Sequence, residues 1–257
     1  GELCSRSLLL ASAVKCEGAL IMQGQGDGPV RIDIVEVRNG LLVRATVKMH
    51  EGEEVSDTMG MKELLNAHGR GRCAIMLDSK DRREGEPLYQ GVVPLTGESI
   101  ADALMGYMEQ SEQIHTKLWL TADDSAASGL MLQKMPDFGG KDENITSDEE
   151  SLNRIETLAS TITDDELLEL TPEEVTHRLF WEEAPDYFEP AEPKFACTCS
   201  REKVEAMIRN LGEVEALQIV KEEGEIKVTC DFCGRTERFS AEDVVKLFDD
   251  GSVTKNN

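Results

Sequence analysis

Four of the chain's seven cysteines lie near its end as two close pairs, Cys197-Thr-Cys199 and Cys230-Asp-Phe-Cys233, and this pattern limits what the last quarter can become. A tetrahedral site for a soft divalent ion needs four thiolates from two short chain segments, which two such pairs supply. Gly234 follows the second pair and favours a tight backbone turn there, because glycine adopts turn conformations freely. The sequence therefore predicts a zinc site formed by these four cysteines.

The same four cysteines admit other interpretations. One alternative is a closed zinc site whose only role is to stabilise a domain that is too small to form a good hydrophobic core. An iron–sulfur cluster usually has other spacings. Disulfides in a secreted protein are a further alternative, but Cys4, Cys16 and Cys73 are isolated along the chain, which suits a reducing cytosol and a cytoplasmic protein. A thiolate cluster can also be oxidised to disulfides with loss of the metal, so the sequence permits a redox switch.

Charge divides the 257-residue chain into three parts. Residues 142–193 hold 17 acidic residues against only Arg154 and Arg178, whereas residues 1–141 and 194–257 are mildly acidic. A net charge of −24 repels phosphate backbones, so we expect no nucleic-acid partner. No apolar run approaches the roughly 20 residues of a membrane span, so no membrane partner is expected.

Residues 1–141 show the alternation of a largely antiparallel sheet with a few packed helices, which predicts an α+β domain. Asn39-Gly40 is a strong hairpin signal between two of the strands. Residues 8–14 resemble the end of an apolar helix, so we expect an N-terminal piece to be missing. Strands are predicted at 19–25, 30–38, 41–49, 73–78, 88–95, 117–121 and 129–135, and helices at 61–67 and 98–113.

The acidic segment 142–193 carries three helix-start signatures, at Ser147, Thr163 and Thr171, each followed three residues later by glutamate. Short helices of this kind do not hold alone, so their apolar stripes must dock, with the N-terminal sheet as the expected surface. The segment is predicted to be conditionally ordered, although a permanently docked helical layer is the alternative. The docking side chains are predicted to be Leu167, Leu168, Leu179 and Phe180.

Residues 194–257 predict a small module that depends on metal for its fold. Ser200 can cap a helix that Gly212 ends, a second helix follows at 213–222, and Ser240 can cap a last helix. Between them, residues 226–230 and 235–239 predict a hairpin whose turn carries the second cysteine pair.

At this point the chain resembles the heat shock protein 33 family, bacterial redox-regulated holdase chaperones. The C-x-C and C-x-x-C-G pairs match that family's zinc module. Four further stretches carry independent matches: Gln25-Gly26-Asp27-Gly28-Pro29, Tyr89-Gln90-Gly91-Val92-Val93, Tyr107 to Gln113, and Leu132-Gln133-Lys134-Met135-Pro136. The resemblance covers essentially the whole chain, but the family's opening strand and part of its first helix are absent.

The resemblance implies a chaperone that binds unfolding client proteins without ATP and becomes active on oxidation. It implies that Cys197, Cys199, Cys230 and Cys233 hold one zinc ion in the reduced, inactive state. Oxidation would then form the disulfides Cys197–Cys199 and Cys230–Cys233 with loss of zinc, and the activated form is expected to be a homodimer. Residues 1–141 would bind clients, 142–193 would be the linker and 194–257 the redox switch.

Other classes of function remain as alternatives. An enzyme is not expected, because the four histidines are scattered and no phosphate loop or nucleophile elbow is present. A thiol–disulfide oxidoreductase using Cys230 and Cys233 is disfavoured, because Cys230 ends a predicted strand and no helix N-terminus would lower its pKa. The stronger alternative is a constitutive zinc-stabilised protein-interaction module without a switch.

Overall fold

The computed structural model describes residues 2–13, 18–39, 41–56, 58–80, 82–83, 86–135 and 149–249. The chain forms two compact units, Gly1–Phe195 and Ala196–Asn257. The architecture is α+β, as the sequence predicts, with a sheet-and-helix unit followed by a small cysteine-bearing unit. The finer division into client-binding domain, linker and switch stays a prediction.

A six-stranded sheet forms the centre of the first unit. Its strands are β1 Gly18–Gln25, β2 Val30–Arg38, β3 Leu42–Met49, β4 Arg72–Ser79, β5 Tyr89–Pro94 and β8 Lys194–Phe195, in the order β5-β4-β1-β2-β3-β8. All neighbouring strands are antiparallel except β8, which pairs with β3 in parallel and was not predicted. The first five strands lie within two residues of their predicted bounds, while Gly40 of the predicted hairpin turn lies outside the described residues.

The turn between β1 and β2 requires glycine. A Cβ on Gly26 would lie 2.0 Å from the carbonyl oxygen of Val30, closer than real Cβ atoms come to backbone. The carboxylate of Asp27 accepts hydrogen bonds from the backbone N–H groups of His68 and Arg70 at 3.2 and 2.9 Å. The Gly-Asp-Gly motif thus ties this turn to the loop that leads into β4.

Three helices flank the sheet: α1 Glu2–Ala13, α2 Met61–Leu65 and α3 Ile100–Tyr107. Ser99 caps α3, and the helix continues as a π-helical turn over Met108–Glu112 before Gln113 ends it with φ +57°. The predicted helix 98–113 is therefore correct in extent but changes its hydrogen-bond pattern in its last third. The core between α1, α3 and the sheet contains Leu20, Met22, Leu104 and their neighbours.

Strands β6 Thr116–Ala122 and β7 Ala127–Gln133 form a separate two-stranded hairpin rather than joining the large sheet. Three helices follow in the acidic segment: α4 Glu149–Ala159, α5 Asp164–Glu169 and α6 Pro172–Phe180. Their apolar side chains pack on this hairpin, where Ala159, Val175, Leu179 and Phe180 contact Trp119, Leu130 and Leu132. The helices therefore dock on two of the strands that the sequence assigns to the N-terminal sheet, although in the structure these two strands pair with each other.

The second unit contains α7 Arg201–Leu211, α8 Glu213–Glu223, β9 Ile226–Thr229, β10 Thr236–Phe239 and α9 Ala241–Asp249. Its core is small and is built around Ile208, Ala216, Phe239 and Val244. Ser200 and Ser240 accept backbone hydrogen bonds at the starts of α7 and α9, and Gly212 ends α7, as predicted. Among the residues described in either unit, no helix has the length and apolar character that crossing a bilayer requires.

Candidate metal centre

The structure brings the four C-terminal cysteines into one cluster. Their sulfur atoms all lie within 4.8 Å of one another. The Sγ atoms of Cys197 and Cys230 are 3.6 Å apart, and those of Cys199 and Cys233 are 3.4 Å apart. Each cysteine pair therefore faces the other pair, and the four cysteines form no disulfide.

The first pair is held by the start of α7. The Ser200 hydroxyl accepts the backbone N–H of Lys203 at 3.4 Å and so fixes the direction in which the chain enters the helix. The Lys203 Nζ atom returns to donate to the carbonyl oxygen of Thr198 at 2.7 Å, between the two cysteines. These contacts hold the C-x-C segment in a bent shape with both sulfurs on one side.

The second pair lies on the turn between β9 and β10. The backbone N–H of Cys230 donates to Arg235 at 2.8 Å, and the N–H of Gly234 donates to Cys230 at 2.8 Å. Gly234 has φ +71°, a left-handed conformation that favours glycine. This explains why glycine follows the second pair, since the chain must reverse there to start β10.

Hydrogen bonds within the cluster shift the pKa values of two of its thiols in opposite directions. A hydrogen bond from the backbone N–H of Cys199 to the Cys197 sulfur lowers the pKa of Cys197 to about 6. Hydrogen bonds with Cys233 and Cys197 raise the pKa of Cys199 to about 12. One thiolate therefore forms readily, and a second close negative charge is disfavoured unless a cation offsets the repulsion.

The cluster fits a zinc ion. Four thiolates bound to zinc at about 2.3 Å in a tetrahedron place neighbouring sulfurs about 3.8 Å apart. The sulfur–sulfur distances of 3.6 Å (Cys197–Cys230) and 3.4 Å (Cys199–Cys233) lie near that value. Four sulfur donors select soft or borderline metals over magnesium or calcium. The four cysteines can therefore hold a metal ion, and their chemistry suits zinc.

The other described cysteines, Cys4 and Cys73, and the four histidines lie outside this cluster. Cys73 is buried in β4, and Cys4 is half-buried in α1, where burial raises the pKa of the Cys4 thiol. Cys16 lies outside the described residues. Within the part of the chain that the structure describes, the four C-terminal cysteines form the only His/Cys/Asp/Glu group with metal-ligand spacing.

Three of the four predicted docking residues, Leu167, Leu179 and Phe180, lie at the contact between the acidic segment and the hairpin. Leu167 is 5% exposed and lies beside Met105 of α3 and Leu118 of β6 around a small cavity. Leu179 and Phe180 are buried in the cluster on the hairpin, while Leu168 is only half-buried.

Hydrogen bonds and ion pairs also hold the acidic helices. Thr163 and Thr171 form two of the three predicted capping boxes, and the third, at Ser147, lies outside the described residues. The Nε2 atom of His115 lies 2.5 Å from Oε1 of Glu156 in α4, a contact that sequence reasoning missed. Arg154 and Glu183 form a bidentate pair across 29 residues at 2.7 and 2.8 Å. Single charged residues so far apart in an acidic sequence give no signal of such pairing.

Comparison with known proteins adds an independent line of evidence. The family model described as "Hsp33 protein" matches residues 1–240. The 33 kDa chaperonin of Neisseria gonorrhoeae is 42% identical over 253 residues, covering 98% of this chain and 80% of that protein. The 33 kDa chaperonin of Methylobacillus flagellatus is 41% identical over 258 residues, covering 100% and 83%.

A solved structure shows a similar fold. The crystal structure of the 33 kDa chaperonin (heat shock protein 33 homolog) from Thermotoga maritima has a TM-score of 0.77 and is 23% identical. The match covers 98% of this chain and 84% of that one.

Proposed function

The chain belongs to the Hsp33 family, and from that premise we propose that it is a redox-regulated, ATP-independent holdase chaperone. In this proposal it protects unfolding proteins from aggregation under oxidative stress. The family points to a chaperone rather than to an enzyme. The observation that carries the regulatory part is the cluster of four free cysteines on two short segments.

In the reduced state, Cys197, Cys199, Cys230 and Cys233 hold one zinc ion, which supplies the cation that lets four close sulfurs ionise together. Each disulfide then forms when one thiolate attacks a peroxide oxygen and a second thiolate attacks the resulting sulfenic acid. Formation of each disulfide removes two electrons from a pair of sulfur atoms. These electrons, with two protons, reduce one peroxide molecule to two water molecules. Four ligands are lost in this way, so the site loses its affinity for metal.

Disulfide formation within each short pair, Cys197–Cys199 and Cys230–Cys233, follows the family's pattern. Peptide mapping of the peroxide-treated chain tests this pairing. The finding of disulfides between the two pairs would contradict it, since such bonds would keep α7 and the β9–β10 turn tied together.

The small core of the second unit explains why metal loss would propagate. Few of the side chains described in the second unit are buried, so a bound structural metal would contribute much of the folding free energy of this unit. We propose that unfolding of this unit releases α4–α6 from the hairpin. Release would expose Leu167, Leu179, Phe180 and the hairpin face as apolar surface for clients.

The proposal is tested by light scattering from a thermally unfolding client protein. The oxidised, metal-free chain should suppress aggregation, and the reduced, zinc-loaded chain should not. Zinc release should be measured in the same samples with a colorimetric chelator, and the oligomeric state by sedimentation, where we expect the activated form to be a homodimer. Equal activity in both states would instead support a constitutive zinc-stabilised interaction module.

A further inference from the structure

Two family motifs that the redox switch leaves unexplained meet at one edge of the large sheet. Tyr89 begins β5, and Tyr107 and Glu112 lie at the end of α3 and in the π-helical turn. Both phenol hydroxyls donate to the same oxygen, Oε1 of Glu112, at 2.5 and 2.6 Å. The two hydroxyls are 3.1 Å apart. We call these three side chains the rim. In the rim, one carboxylate lies between two phenols.

The rim carries a negative charge. The two phenol hydroxyls hold the pKa of Glu112 below its usual range, because they donate hydrogen bonds to the ionised form. The nearby carboxylate raises the pKa of Tyr89, so that phenol stays neutral. Among the residues described, Glu112 accepts these bonds through Oε1, which leaves Oε2 to receive a further donor.

An apolar cavity opens beside the rim. Its volume is about 350 Å³, which lies within the range of known ligand pockets and is roughly twice that of a cavity that binds benzene. The rim residues line it together with an apolar floor of Leu10, Leu20, Ile75, Leu77, Met108 and Ile114. A site with an apolar floor and a single negative group suits a ligand with an apolar part and a cationic part.

The cavity lies next to an edge that can accept another strand. β5 is an end strand of the large sheet as far as the structure describes it, and Tyr89 of β5 pairs with Leu77 of β4, which lines the cavity. In an antiparallel edge strand, alternate backbone N–H and C=O groups face away from the sheet. An added strand would place residues i and i+2 on the same face, about 6.6 Å apart.

We propose that the cavity, the rim and the edge of β5 form a peptide-binding site for extended segments with a large apolar side chain two positions from lysine or arginine. The apolar side chain enters the cavity, the basic group contacts Glu112, and the backbone pairs with β5. The net charge of −24 favours the same basic segments at longer range. This inference deepens the proposed chaperone function, on which its biological role rests, by naming the class of client segment.

The test uses the full chain, oxidised and reduced, and fluorescein-labelled acetylated heptapeptides followed by anisotropy. The probe has the order Ser-Thr-Leu-Thr-Lys-Thr-Ser, and its two matched controls carry Glu in place of Lys or Ser in place of Leu. We expect the oxidised chain to bind the probe at least about tenfold more tightly than either control.

Two charge variants locate the site. Glu112→Gln should reduce the preference for the lysine peptide over the glutamate peptide to about threefold or less. Glu109→Gln removes the same charge three residues away, outside the cavity lining, and should leave that preference intact. Leu77→Phe should fill the cavity and remove the preference for leucine over serine. Equal binding of all three peptides, or equal loss in both charge variants, would overturn the proposal.

The edge of β5 could instead pair with a second copy of the chain. In that case, Glu112→Gln would change the sedimentation coefficient without affecting peptide preference, and this result would also overturn the proposal. Client aggregation measured on the same samples tests the proposed chaperone function separately from the peptide-binding site. Glu112-dependent peptide selection without activation by oxidant would contradict the proposed function alone.

Discussion

Leu167 offers the most direct test of whether docking of the acidic helices controls activity. Its side chain is 5% exposed and lies between α3 and β6, on a six-residue helix that is too short to be stable alone. Truncation of a buried leucine to alanine costs about 2–5 kcal/mol. At about 1.4 kcal/mol per tenfold, even the lower value shifts the docked–released equilibrium about 30-fold toward release.

We therefore expect Leu167→Ala to loosen α4–α6 without oxidant. Hydrogen exchange followed by mass spectrometry should show faster exchange in residues 149–183, while strands β1, β2 and β4 stay slow because their core is untouched. In the light-scattering assay, the reduced, zinc-loaded variant should suppress aggregation that the reduced wild type does not.

Two matched variants control for this result. Leu168→Ala truncates the half-buried neighbour and should have a smaller effect on both exchange and activity. Phe188→Ala truncates a side chain that is 89% exposed and should change neither. If residues 149–183 exchange fully in reduced Leu167→Ala while the variant stays inactive, release of these helices does not suffice for activation. If β1 and β2 exchange as fast as α5, the acidic helices and the sheet are one cooperative unit instead.

The remaining predictions concern the metal centre and the polar contacts of the acidic helices. Cys230→Ser should lose zinc and the fold of residues 196–249, whereas Cys4→Ser should keep its full zinc content. Atomic absorption measures the zinc content, and full zinc stoichiometry in Cys230→Ser would disprove the ligand assignment. Zinc removal from the reduced wild type by a chelator should unfold the same residues, because structural zinc contributes about 10–16 kcal/mol in small zinc domains, and unchanged circular dichroism would contradict this. His115→Ala should speed exchange in α4 by only a few-fold, since a contact near the surface such as the partly buried one with Glu156 contributes about 1 kcal/mol. A larger increase would show that this contact anchors the helix.

Local signals in the sequence were enough to predict most of the fold. Alternating apolar residues placed the first five strands within two residues, and the Thr163 and Thr171 capping boxes form as expected. The cysteine cluster was predictable for the same reason, because each pair lies within one turn and needs only one long-range contact to the other. Gly234 adds the local conformation that this turn requires.

The features that the sequence did not reveal all depend on contacts between distant segments. β8 has only two residues and pairs in parallel with β3, which lies about 150 residues earlier in the chain. The sequence periodicity of so short a segment cannot indicate this pairing. Among the described strands, β6 and β7 pair with each other alone, and their apolar side chains are divided between the main core and the cluster with α4–α6, contacts that the strand sequences do not indicate. Likewise, Tyr89, Tyr107 and Glu112 meet only because α3 crosses the end of β5.

The distribution of charge explains why apolar contacts must decide the state of the acidic helices. Only two arginines accompany the 17 acids of residues 142–193, and each pairs with an acid of the same segment, Arg154 with Glu183 and Arg178 with Glu166. These pairs hold the helices to one another, but the remaining negative charge repels itself whether or not the helices are docked. Docking therefore depends on a small number of buried side chains, chiefly Leu167, Leu179 and Phe180. Such a balance suits a switch, because the side chains that hold the helices in place are the same ones that release exposes to a client.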